Sequence, residues 1–83
     1  MKSFTQYVES ELERARKKNK PLNSVHEGYA VILEELEEFW EQVRLKRDNR
    51  DKVKMYEELV QIAAMAQRTA EDVLELPMKE GAK

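Results

Sequence analysis

Glu34-Glu35-Leu36-Glu37-Glu38-Phe39-Trp40 is the stretch whose reading decides the fold. It sets a block of carboxylates among large apolar residues. On a helical wheel Val25, Tyr29, Ile32, Leu33, Leu36, Phe39, Trp40 and Val43 share one broad stripe, the period of a core-facing helix. Glu35 lies at one edge of that stripe, with Glu38 just beyond it, one turn on. Residues three apart on a helix are neighbours, so these two carboxylates converge on one point. Glu34, Glu37 and Glu41 fall on the outer or lateral face and read as solvated.

An answering stretch is Glu57-Glu58-Leu59-Val60-Gln61. Here Met55, Leu59, Ile62, Met65, Ala66, Thr69, Val73 and Leu76 make the inward stripe, and Glu58 falls inside it. An ionised Glu on an apolar face is costly without a partner. A metal ion would supply one. So would a buried ion pair, with Arg68 or with a residue of another subunit.

Working outward, the first helix is expected over about residues 3–18, capped by Ser3, with Phe4, Tyr7, Val8, Leu12 and Ala15 as a narrow apolar face. Its basic end, Arg14 to Lys20, suits the helix macrodipole. Pro21 biases Lys20 away from helix. Ser24 with Glu27 forms a capping-box pattern that opens the second helix, expected over about 24–47. Gly28, in its first turns, weakens the helix or lets a neighbour approach closely. His26 lies on the flank of the stripe and reads as packed or solvent-facing. Asp51 or Asn49 caps the third helix, expected over about 51–76, where Pro77 follows. Ala63, Ala64, Ala66 and Ala70 keep it slim. Trp40 and the methionines read as core. The segment 77–83 reads as a frayed tail. The fold class is therefore all-α: three antiparallel helices in one domain of 83 residues, assembling into an oligomeric helical bundle.

Composition narrows the function. No Cys is present, which excludes disulfides and thiolate metal sites. With 15 Lys plus Arg against 17 Asp plus Glu, the net charge is −2. That balance gives no argument for nucleic acid. No apolar run approaches the ~20 residues that span a bilayer, and no signal-peptide pattern opens the chain, so a cytoplasmic protein without a membrane partner is expected. A chain this short, drawn into long helices, buries little core alone, so a homodimer or homotetramer is expected. Carboxylates from two helices around one point make a hard-oxygen site suited to Mg²⁺ or Mn²⁺, with Lys54 and Arg68 as candidate phosphate contacts and Lys17 and Lys18 behind them.

The block at 34–40, followed by Glu57-Glu58-Leu59-Val60-Gln61-Ile62-Ala63-Ala64-Met65-Ala66-Gln67-Arg68-Thr69-Ala70-Glu71-Asp72, resembles the MazG-like, all-α nucleoside triphosphate pyrophosphohydrolases, closest to the short phage- and Firmicute-type members. The resemblance runs from about His26 to Asp72. It implies a Glu-x-x-Glu pair on one helix and a Glu-x-x-Asp pair on the next, binding Mg²⁺ and cleaving a nucleoside triphosphate to monophosphate and pyrophosphate. By position, Glu35 and Glu38 match the first pair and Glu58 opens the second. Glu38 and Glu58 are then the catalytic candidates; Glu35, Glu38, Glu58 and Gln61 are the metal candidates. Gln61 departs from the pattern, since it stands where Asp is expected and offers only a neutral oxygen. Asp72 lies on nearly the face of Glu58 but about 21 Å along the helix, so it is available only to a different cluster, between subunits. The chain lacks a long extension for base recognition, so a second subunit is expected to complete any nucleotide pocket. Gln61 also favours a second reading: a non-catalytic helical oligomer of the same lineage that binds a nucleotide or a partner helix.

Overall fold

The computed structural model describes residues 1–74. The expectations for Leu76, Pro77 and the 77–83 tail lie outside them. Among the described residues the chain is helical throughout, with no strand. Helix α1 spans Phe4–Lys18, α2 spans Val25–Val43 and α3 spans Lys52–Thr69; a 3-10 turn (Arg47–Asn49) precedes α3 and a π-helical turn (Ala70–Leu74) follows it.

The helix starts are set by side chains. Ser3 Oγ accepts Gln6 N–H at 3.2 Å while Gln6 Oε1 accepts Ser3 N–H at 2.8 Å, a reciprocal capping box. Ser24 Oγ accepts Glu27 N–H at 3.1 Å. Its expected reciprocal bond is displaced by one residue, because Glu27 Oε1 takes Asn23 N–H at 2.6 Å. At α3 the cap is Asp51, whose Oδ1 accepts Lys54 N–H at 3.0 Å; Asn49 belongs to the preceding 3-10 turn.

Helix α2 ends at Val43, four residues before the expected Arg47. A helix C-terminus leaves carbonyls without partners. Here Arg50 donates to the Val43 carbonyl at 2.6 Å, and Gln42 Oε1 accepts Asp51 N–H at 2.8 Å. Two side-chain bonds thus close the helix and reverse the chain.

Gly28 packs opposite Thr69, and Glu38 faces Glu58, so α2 and α3 run antiparallel. Tyr7 packs on Tyr56 and Arg16 on Asp72, so α1 runs parallel to α3. The three helices run up-down-up, and α3 packs on both of the others, while α1 and α2 make few direct contacts. The core is thin: Val8, Leu12 and Ala15 of α1 meet Val60, Ala64 and Met65 of α3, with Val31, Ile32 and Ala63 packed against them. Ala64 is wholly buried, so the slim section of α3 does carry its close packing.

Most of the apolar stripe expected on α2 is not buried by this chain. Tyr29 is 66% exposed, Trp40 56% and Leu36 48%. Leu59 and Ala66 of the expected α3 stripe are also exposed. Phe4 and Tyr7 of the α1 face remain exposed as well. Met65 turns inward as expected, but Val60 and Ala64, off the expected α3 stripe, are buried in place of Leu59 and Ala66, because the chain has only α1 to cover one side of the α2–α3 hairpin. Trp40 is therefore surface, not core. Among the described residues no helix is long and apolar enough to cross a membrane.

Candidate carboxylate centre

The α2–α3 hairpin brings the two acidic stretches together. Glu34, Glu35 and Glu38 each offer a carboxylate oxygen within 4.8 Å of the others. Opposite them on α3, Glu58 is only 5% exposed. With the neighbouring acids ionised, its Oε2 is buried without a hydrogen-bond partner, and the nearest cation, Lys54 Nζ, stands 3.6 Å away. The antiparallel pairing causes this: the reversal at 44–51 sets Glu58, two turns into α3, beside Glu35 and Glu38, two turns from the end of α2.

Crowding acids raises their proton affinity. Burial holds the Glu35 carboxyl up at about 7, helped by the charges of Glu38 and Glu58, a hydrogen bond shared with Glu58, and the charge of Glu34. Glu38 is raised first by a hydrogen bond shared with Glu58, then by burial and the Glu58 charge, against a lowering by Lys54. Three carboxylates thus converge on one point and Glu58 faces them from α3, with Lys54 the cation beside them. Such a group lacks positive charge, and the donor set is all hard oxygen, fitting Mg²⁺ or Mn²⁺.

Glu35, Glu38 and Glu58 are therefore brought together, and Lys54 stands beside them. Glu34, read from the sequence as solvated, joins the group. A wheel puts Glu34 and Glu35 about 100° apart, but both long side chains bend toward Glu38 across the turn. Gln61, one turn after Glu58, is half-buried and lines a groove that α3 shares with α1.

Arg68 has other work. It lies about 15 Å along α3 from Glu58 and is 6% exposed. Its Nη2 donates to the Lys20 carbonyl at 2.8 Å and its Nε lies 3.6 Å from Asp72 Oδ2. Asp72 Oδ2 accepts Leu22 N–H at 3.0 Å, and Arg16 pairs with both Asp72 and Glu71. These groups clamp the α1–α2 connection onto the end of α3. Lys17 pairs with Glu13 at 3.4 Å. His26 is exposed.

No family model matches the chain. No curated protein and no solved structure matches it either. The likeness to the MazG-like hydrolases therefore rests on the residues quoted above alone.

Proposed function

We propose that the chain is a divalent-metal-dependent nucleoside triphosphate pyrophosphohydrolase that works as a homo-oligomer. The observation that carries this reading is Glu58: a buried carboxylate oxygen without a hydrogen-bond partner, facing Glu35 and Glu38. Keeping a carboxylate there is costly unless a cation is bound. The reaction itself comes from the motif resemblance.

Glu35, Glu38 and Glu58 would hold the Mg²⁺, with Glu34 at the rim. Bound Mg²⁺ supplies charge that polarises a phosphoryl oxygen and orders water. Glu38 would accept the proton released by the attacking water. Lys54 offsets phosphate charge, whereas Arg68 is committed to the Lys20 carbonyl and Asp72. Water is the nucleophile, and the products are a nucleoside monophosphate and pyrophosphate. The exposed stripe of Tyr29, Leu36 and Trp40 with Leu59 is the proposed oligomer contact, since large apolar patches of this kind mark interaction surfaces.

The test is pyrophosphate release from a panel of ribo- and deoxynucleoside triphosphates, with Mg²⁺ and then Mn²⁺, beside Glu38→Ala. Release that Glu38→Ala abolishes is expected. Thermal melts run alongside: either metal should raise Tm in the wild-type chain, and Glu58→Gln should remove that rise while stabilising the metal-free chain by about 1–2 kcal/mol. A metal-linked rise without pyrophosphate release would transfer the reading to a non-catalytic nucleotide-binding oligomer. No rise at millimolar metal would overturn the metal centre.

A further inference from the structure

A groove of about 830 Å³ runs between α1 and the first half of α3. Its walls are mainly apolar, from Val53, Val60 and the rings of Tyr7 and Tyr56. The rings meet edge-on, with centroids 6.0 Å apart and planes at 86°. Both stay exposed, Tyr7 by 41% and Tyr56 by 43%. Lys2 and Lys52 stand in the groove, and neither makes an ion pair among the described residues. Lys2 Nζ donates to Ser10 Oγ at 3.2 Å and lies 5.7 Å from the Tyr7 ring centroid. One end of the groove is formed by Glu58 and Gln61. Glu58 thus belongs to both the groove and the carboxylate centre.

We infer that this groove is the nucleobase site: the base lies against Tyr7 and Tyr56, and the triphosphate runs toward Glu58. This rests on the pyrophosphohydrolase reading of the carboxylates. Three features select a nucleotide as occupant. A mostly apolar cleft of this volume is of the size that encloses a small organic ligand. Exposed tyrosine rings stack on planar bases, whichever base it is. Lys2 and Lys52 stand at the tyrosine end, whereas Glu57, Glu58 and Glu11, the last paired with Arg14, line the rest; a triphosphate reaches that end only with the cation that the carboxylate centre would hold. No α2 residue lines it. An oligomer formed through the exposed α2 stripe therefore leaves it open, and a single chain supplies base contacts that the sequence assigned to a second subunit.

The experiment is binding to the full-length chain by calorimetry, using ATP, CTP, GTP and dUTP in Ca²⁺ to suppress turnover, with inorganic tripolyphosphate as the ligand that lacks a base. Amide chemical shifts are mapped in the same titrations. Tyr56→Ala is expected to weaken nucleotide binding about tenfold or more and to leave tripolyphosphate unchanged. Glu58→Gln is expected to weaken both. Shifts at Val53, Tyr56 and Val60 should follow nucleotide but not tripolyphosphate, a readout that does not depend on the folding of any variant. Nucleotide binding that Glu58→Gln weakens, but that leaves Tyr56→Ala and the groove amides unaffected, overturns the base site and spares the metal centre. Failure of the wild-type chain to bind either ligand overturns both.

Discussion

At the scale of single residues, the informative ones are acids placed against their own interest. Glu35 titrates at about 7 in the folded chain against 4.5 for a free side chain. A carboxyl whose folded pKa is raised favours folding while it is protonated. Its contribution is fully present below about pH 4.5 and is lost as pH rises through 7. Without divalent cations, Tm should therefore fall between pH 5 and 7.5, and Glu35→Gln should flatten that fall. A melt series in chelator gives the answer; a Tm that climbs over this range sinks the account. Mg²⁺ should shrink the fall, because the cation replaces the proton. The pairing of Glu35 with Glu38 was legible from helical spacing, since three-residue steps fix neighbours on one helix, and Glu58 opposite them from the short connection that makes the two helices antiparallel. Glu34 was not, because a wheel fixes Cβ directions and says nothing of how far a flexible carboxylate reaches. Arg68 was misassigned for a related reason. A wheel gives a residue's face but not the segment that lands beside it, here the 19–23 connection.

Helix boundaries were legible wherever a cap residue is chemically specific. Ser3, Ser24 and Asp51 each mark a start. The end of α2 was not, because it is made by Arg50 and Asp51 reaching back to Val43 and Gln42, contacts that exist only once the chain has turned. Gly28 shows how packing overrides propensity. Replacing a helical Gly by Ala ordinarily gains up to ~1 kcal/mol. A Cβ at Gly28, however, would meet Thr69 Cγ2, with Oγ1 at 2.6 Å and Cβ at 3.0 Å. Thr69 is β-branched, and its hydroxyl donates to the Met65 carbonyl at 2.8 Å, so rotation offers no relief. Gly28→Ala is expected to destabilise by about 1–2 kcal/mol, an overpacking cost that exceeds the propensity gain. Adding Thr69→Ala should recover most of it. Chemical denaturation of the single and double variants measures the coupling, and additivity would refute the contact.

For the whole molecule, the sequence showed a helical chain with more apolar surface than one copy can bury, but not which side α1 would cover. Both faces of the α2–α3 hairpin carry apolar residues, and periodicity alone does not choose between them. The open face yields a prediction about assembly. Sedimentation of the wild-type chain at micromolar concentration should give an oligomer. Leu36→Glu combined with Leu59→Glu, both at exposed positions, should give a monomer that keeps its helical content. A wild-type monomer would remove the oligomer from the proposed function.

The packing of α3 against both other helices has a kinetic consequence. Among the described residues helix α1 packs chiefly on α3, with Arg16 reaching the π-helical turn, whereas α3 is held by both α1 and α2. One interface must part to bare the α1 amides, but two must part for those of α3. Solvent deuterons should therefore reach the backbone in sequence: α1 first, through brief undocking of a single helix, and the middle of α3 last, at the rate of global opening.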